Sequence, residues 1–477
     1  MRRYIFFFCL TGLTGCVNYA GLHSSATSYN ATTLSSPQSY PIPKTTPPLN
    51  TETAWWARFN DPQLDQLIAV GLHDSPNLAI AESRVKKAQA LTASARSTLW
   101  PSASFNGYVN RERYTGTSYY GTFGGQYFYQ GGTIVNAQYD FDWWGKHRNQ
   151  VAAQTSNTQA AKAELANAQL ILSAEIANSY FLLQSNIAQL NISTKLLQIQ
   201  QQINAITEAR MTHGVDSGIP ITVTASDVQS AQIAVLQNQQ IVELERHKLA
   251  VLMGKNPFNT TIAIPSFAYY AQQLTLPKQL PLSFIARRPD VTASLWQVEA
   301  AADEVKVSKA GFYPDINLVA FYSYQSIGLN NLFDQNSRNI LVQPAVSLPL
   351  FDAGLHRADL SARYADYDTA VNQYNETILT ALRQVSDQIS LIRTVQTQLS
   401  AQNSIVNATR HNFMLTNAQY KNGITDYMKV LEIQSNLLTQ QLYQLQLQTQ
   451  HIEHVINMIQ ALGGGYPMAS ENKNDRA

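Results

Sequence analysis

Two spacings of apolar residues alternate along this chain. From Tyr364 to Tyr420 an apolar or aromatic residue recurs at every seventh position: Tyr364, Val371, Ile378, Val385, Ile392, Leu399, Val406, Phe413 and Tyr420. Beyond Asn422-Gly423 the spacing resumes with Ile424, Leu431, Leu438, Leu445, Ile452 and Ile459. An earlier segment behaves alike, with Ile176, Leu183, Leu190 and Leu197 going out and Ile221, Val228, Val235, Val242 and Leu249 returning. Sustained heptads predict coiled-coil packing, and the turn between each pair of runs predicts two antiparallel helical hairpins, over about 145–254 and 353–462. A helix of about 65 residues at ~1.5 Å each is roughly 100 Å long. Companion positions such as Ala381, Gln388 and Gln402 are small or polar. They suit a wall with water on one side better than a two-stranded rod.

Before each long hairpin the period changes to two. Ile316, Leu318, Ala320, Tyr322 and Tyr324 share one parity, as do Ile340, Val342, Val346, Leu348 and Leu350. In the first half, Val135, Ala137, Tyr139 and Phe141 alternate with Asn136, Gln138, Asp140 and Asp142, while Ala103, Phe105 and Val109 alternate with Asn106 and Asn110. One apolar and one polar face is strand chemistry. It predicts strands at about 102–112, 133–142, 315–325 and 339–350. Tilted strands of about ten residues are long enough to cross a bilayer core.

These elements occur twice because the chain is internally duplicated. Pro76/Pro289, Val85/Val298, Leu99/Phe312 and Pro101/Pro314 lie 213 residues apart, and His147/His356, Gly214/Gly423 and Gly254/Gly463 lie 209 apart. A repeated unit of about 210 residues implies pseudo-symmetry within one object. The first unit takes 55–265 and the second 266–465, followed by a tail at 466–477. The fold expected is mainly α with a smaller β part.

Composition narrows the class. Charged residues make up 14% and the formal net charge is +1, so nothing points to nucleic acid. Residues 1–15 read as a secretory signal: Arg2 and Arg3, an apolar run from Tyr4, then Leu13-Thr14-Gly15-Cys16. Leu-Thr-Gly-Cys looks like a bacterial lipobox, which implies cleavage before Cys16 and acylation of that cysteine. The plainer alternative is a free cysteine in an ordinary signal. The two cysteines are Cys9 and Cys16, so a mature lipidated chain has no thiol for a disulfide or a Zn site. The Ser/Thr/Pro-rich stretch 16–54 is expected to be a flexible tether.

Strands in a membrane must close, because an open edge leaves backbone groups unpaired in lipid. One chain offers four strands, whereas known single-chain barrels start at eight. Either several chains share a barrel or the strands are soluble hairpins capping a coiled coil. The segments WWARFNDPQLDQLI (55–68), LSFIARRPDVTASLWQVEAA (282–301), KAGFYPDINL (309–318), SLPLFDAGLHRA (347–358) and GITDYMKVLEIQ (423–434) resemble the outer-membrane factors of tripartite efflux systems, the TolC/OprM/NodT-like lipoproteins. The resemblance covers residues 55–465. It implies a homotrimer in the outer membrane of a Gram-negative bacterium. Three chains of four strands would form one 12-stranded β-barrel, continuous with an α-barrel of twelve helices. It also implies a periplasmic adaptor, the membrane fusion protein, and an inner-membrane pump of RND, MFS or ABC type as partners. The duct would serve passive export of drugs, toxic compounds or metal ions. Alternatives of other kinds are type I protein secretion and a non-pore periplasmic coiled coil.

No catalytic constellation is present: no HExxH, GxSxG or phosphate-binding loop, and no cofactor motif. His451 and His454 could hold a metal on one helix face, or simply sit near a helix end where positive charge is favoured. Arg287-Arg288-Pro289-Asp290 reads as a helix start with Pro near its first position. The resemblance places a periplasmic gate at the hairpin turns. Met428, Glu432 and Ser435, at i, i+4 and i+7, form one helical stripe there. The family pattern is an apolar residue, an Asp and often an Arg; Ser435 departs from the Arg. The first turn, 213–228, is longer than the family's, and Asp227 best matches its Asp, with Asp216 nearby. Three Glu432 carboxylates around a threefold axis would form a cation-attracting ring.

Overall fold

From Pro76 and from Pro289 onward, the two halves of the chain fold into the same run of elements. In this computed structural model the described residues are 19–29, 54–117, 124–215, 217–260, 262, 264–267, 269 and 282–464, with backbone only at 282–284. After a 3-10 turn at Trp55–Phe59 come α1 (Pro62–Asp74), α2 (Pro76–Ser97), β1 (Ser102–Arg113), β2 (Tyr127–Asp140), α3 (Lys146–Thr212) and α4 (Gly218–Leu252). The second half repeats this with α5 (Pro289–Ala310), β3 (Asp315–Ile327), β4 (Arg338–Ser347), α6 (Leu355–Lys421) and α7 (Tyr427–Ala461). The duplication extends to length: α3 and α6 have 67 residues each, α4 and α7 have 35, and α2 and α5 have 22.

The turns are duplicated as well. Gly214 and Gly423, both at φ +72°, end α3 and α6. The next N–H closes the turn five residues back: Val215 N to Arg210 O at 2.8 Å and Ile424 N to Gln419 O at 2.9 Å. A left-handed residue costs glycine nothing, which explains why glycine stands at both positions. Ile424 lies past this turn and is 71% exposed. It therefore does not begin the buried heptad row, which starts at Leu431.

The chain divides into two compact units. One comprises Met1–Ser28, Arg84–Lys162 and Ala293–Asn375. Its four strands form one antiparallel sheet in the order β1-β2-β3-β4. β2 begins at Tyr127, six residues before the alternation predicts, because 127–132 pair with β1 from Arg113 back to Tyr108. β4 ends at Ser347, short of the expected 350, just before Leu348-Pro349; proline has no N–H for the ladder. A small core of Val305, Phe312 and Leu360 lies below, with Tyr19, Leu22 and Tyr313 against it.

Residues 19–29 belong to the stretch expected to be a loose tether, and they are held. Asp368 on α6 accepts from Ser24 Oγ at 2.5 Å, Ser25 N at 3.1 Å, Ser25 Oγ at 2.8 Å and Ala26 N at 3.2 Å. These hydrogen bonds, Ser24's first, pull the Asp368 carboxyl down to about 2. Asn375 donates to Thr27 O at 2.9 Å, and Tyr19 meets Phe312 edge-on at 5.5 Å.

The second unit comprises Tyr29–Ser83, Ala163–Thr292 and Glu376–Ala477. Its core joins Trp55, Phe59, Leu64 and Ile68 to Ile176, Tyr180, Phe181 and Leu183 of α3, Leu249 of α4, Ile392 of α6 and Ile452, Ile456 and Ile459 of α7. The predicted heptad residues Ile176, Leu183, Leu249, Ile378, Ile392, Leu431 and Ile452 are fully buried. Among the described residues no helix is long and apolar enough to cross a membrane.

Candidate functional site

Register sorts the strand residues onto two faces, since directly opposed residues share a face. Phe105 lies opposite Val135, Val135 opposite Tyr322, and Tyr322 opposite Ile340. One row below, Ala103, Ala137, Ala320 and Val342 form the next line, and Tyr139, Leu318 and Pro344 the one after. The apolar parities read separately from each strand thus merge into one continuous apolar face. Phe105, Val109, Val135, Ile340, Val342 and Val346 are exposed on it. The opposite face carries Ser102, Ser104, Asn106, Asn136, Gln138, Ser323, Asn339 and Gln343. It is less polar than the alternation suggests, because Ile134, Val319, Phe321 and Leu341 also fall there. The outer edges of β1 and β4 have no strand partner among the described residues.

At the helix end of the sheet stand two matching caps. Asp142 accepts from the backbone N–H of His147 at 3.0 Å and Arg148 at 2.9 Å. Asp352 accepts from Gly354 N and His356 N, both at 2.9 Å. These donors, His356's first, hold the Asp352 carboxyl below its ordinary value. The repeated His-Arg pair marks two copies of one helix-capping turn. Around it lie exposed Trp100, Trp143, Trp144 and Phe351; Trp144 stacks on Tyr313 at 4.5 Å and donates to Pro314 O at 2.8 Å. Aromatic side chains in this position match the girdle of a membrane-spanning sheet.

The Arg-Arg-Pro-Asp segment is a structural knot, with Pro289 at the first position of α5. Arg288 is buried. It donates to Ala461 O at 2.7 Å, to Gln384 Oε1 at 2.9 Å, and to both carboxylate oxygens of Asp290 at 3.0 and 2.7 Å. It thereby satisfies a terminal carbonyl of α7. Beside it lies a cleft of about 280 Å³ lined by amides, including Gln384, Gln388 and Asn457. Nearby on α7, His451 is buried between the Tyr269 hydroxyl, 2.7 Å from Nδ1, and Gln396, 3.3 Å from Nε2. The Gln396 amide nitrogen only donates, so Nε2 accepts and the neutral ring carries its proton on Nδ1, facing the Tyr269 oxygen; burial pushes Tyr269 up to about 12. Burial first, then His454, brings His451 down to about 4.

Of the expected gate residues, three lie in the first turns of α7, past the second hairpin turn. Met428, Glu432 and Ser435 lie on one stripe of α7, with Met428 and Ser435 partly buried and Glu432 exposed. Leu431 beside them packs on Ile199 of α3. Glu432 does not stand alone: Lys429 Nζ lies 2.9 Å from its Oε2. That bond raises the Lys429 pKa, keeping it charged. Asp426 caps α7 by accepting from Lys429 N at 2.9 Å. Asp227 stands apart on α4, exposed. Cys16 and Asp216 lie outside the described residues. Sequence reading missed Lys429, although its spacing of three from Glu432 announces the pair.

Known proteins share this arrangement. The family model described as outer membrane efflux protein matches residues 67–255 and 280–464, the two repeats. The multidrug resistance outer membrane protein MdtP of Escherichia coli O6:H1 is 29% identical over 435 residues, covering 88% of this chain and 87% of that protein. The outer membrane protein VceC of Vibrio cholerae is 30% identical with a TM-score of 0.78, covering 87% of this chain and all of that one. The outer-membrane channel OprN, 23% identical with a TM-score of 0.79, covers 94% of this chain and shares the fold. With its duplicated strand pairs and helical hairpins, the chain belongs to the outer membrane efflux protein family.

Proposed function

We propose that three copies of this chain form an exit duct for an efflux pump, with the strands in the outer membrane and the hairpins in the periplasm. The observation that carries this reading is the four-stranded antiparallel sheet with one continuous apolar face and two edges that have no strand partner among the described residues. Such edges are untenable in lipid unless they close on other strands. With an even number of antiparallel strands, β4 of one copy can meet β1 of the next antiparallel, and three copies give twelve strands. Transport through the duct is passive, without a cofactor. An inner-membrane pump of RND, MFS or ABC type supplies the energy, and a periplasmic adaptor joins it to the hairpin turns. The relatives' names favour drugs and other toxic compounds as cargo. Cys16 carries the lipid anchor.

The gate lies at the turns, where Met428 forms an apolar ring. The Lys429–Glu432 pair makes the adjoining ring nearly neutral at rest rather than strongly acidic. Ser435 widens the stripe behind it, and Asp216 and Asp227 belong by sequence to the first turn, 213–228. Purified protein in planar bilayers tests the duct: discrete conductance steps are expected, and inserted protein that never conducts would overturn it.

A further inference from the structure

The four strands hold six charged side chains, and the register separates them by sign. Arg111, Arg113 and Arg338 fall on the apolar face, while Glu112, Asp140 and Asp315 fall on the other. Each stands at the loop end of its own strand: Arg113 opposite Tyr127, Arg111 opposite Tyr129, and Arg338, the first residue of the shorter β4, opposite Tyr324 in the row that runs through Thr133 to Gly107. That end is remote from the helices, since β1 starts after α2 and β2 runs into α3 at the other. With the hairpins in the periplasm, it is the outer-leaflet rim.

No carboxylate pairs with these arginines among the described residues. Arg111 instead lies 5.3 Å over the Tyr127 ring and 5.6 Å over Tyr129, rings that are 61% and 54% exposed. The Tyr322 and Tyr324 hydroxyls meet at 3.0 Å beside Arg338. Position near an interface explains why charge is tolerated on a lipid-facing row. It does not explain why every charge there is a guanidinium, because a merely solvated rim would accept acids equally well.

We propose that this rim binds a phosphorylated glycolipid of the outer leaflet. Arg111, Arg113 and Arg338 hold its phosphates, and the exposed tyrosines carry its sugar rings. The guanidinium fork matches phosphate oxygens in pairs. An occupant of the membrane plane is required because the arginines continue an apolar face, which excludes a soluble polyanion. The assignment rests on the proposed outward orientation of that face. Closure of β4 onto β1 of a second copy would set the Arg338 end of one chain beside the Arg113 end of the next, giving each seam three arginines.

The test compares wild type, the triple variant Arg111→Gln/Arg113→Gln/Arg338→Gln, the triple Lys variant at the same positions, and Glu112→Gln. Each is placed in nanodiscs of zwitterionic lipid and titrated with diphosphorylated lipid A or with the same lipid after phosphatase treatment. Bound lipid is counted by native mass spectrometry. Wild type should prefer the phosphorylated lipid. The Gln variant should bind it about a hundredfold more weakly, about fivefold per arginine. The Lys variant should fall between, and Glu112→Gln, on the opposite face, should match wild type. Equal binding of both lipids by wild type, or wild-type binding by the Gln variant, would overturn the proposal. Conductance of the same preparations separates the two readings. Conducting channels without lipid preference sink only this site, whereas wild type that never conducts sinks the duct.

Discussion

Val135→Arg places a charge at mid-height of β2. The strand has 14 residues; at about 3.4 Å per residue and a tilt near 40° it rises roughly 35 Å, with Val135 close to the middle. Its neighbours on the same face are Phe105 and Tyr322, neither of which offers a carboxylate to a guanidinium. The cost should be about 2–4 kcal/mol per chain at the midplane, toward the lower value if the side chain reaches an interface. It applies three times in a trimer. Asn136 points the other way, between Ser104 and Phe321. Asn136→Arg should stay within about 0.5 kcal/mol of wild type. Urea unfolding in vesicles, followed by Trp fluorescence from the helix end of the sheet, measures both. Equal losses at 135 and 136, or a larger loss at 136, would refute the assigned faces.

Further predictions concern the helical part. Arg288→Ala leaves Asp290, Gln384 and the Ala461 carbonyl without their shared donor and should cost about 3–5 kcal/mol; a thermal melt unchanged from wild type would contradict the knot. His451 has a folded pKa of about 4, below its unfolded value of about 6.5. Its contribution is therefore complete above pH 6.5 and lost as pH falls toward 4, by about 2–3 kcal/mol. His451→Gln should flatten urea stability between these limits, and parallel profiles would exclude the histidine as the cause. At the turns, Met428→Ala should raise resting conductance, while Glu432→Gln should leave Lys429 uncompensated and shift selectivity toward anions. Single-channel recordings of both variants identical to wild type would move the constriction to the turn around Asp216 and Asp227.

Heptads and duplication were legible because each is a pattern of buried positions repeated over many turns: Ile378, Ile392, Leu431 and Ile452 need no distant partner to be recognised. The strand faces were legible where side chains alternate, as from Val135 to Tyr139. They were not legible over 127–132, where Tyr-Phe-Tyr-Gln-Gly-Gly shows no period and only pairing with β1 keeps the strand going. Ile424 fits the heptad arithmetic, but Gly423 turns the chain before it. The held segment 19–29 escaped because its fixing residue, Asp368, is over 340 positions away. Local composition reports polarity, and polarity is shared by loose arms and docked ones. The charge of the proposed gate is less legible for a simpler reason: Lys429 lies off the Met428–Glu432–Ser435 stripe, yet one helical turn brings it to Glu432.

The central claim is that one chain supplies one third of a closed barrel. Lipidated mature protein would hold no free thiol, so cysteines placed on the edge strands, one along β1 and one along β4, report only on contacts between copies. Oxidation in outer-membrane fractions, read on a denaturing gel, should give monomer, dimer and trimer, with nothing larger at full yield. A ladder continuing past three, or no cross-link at any pair of edge positions, would contradict it.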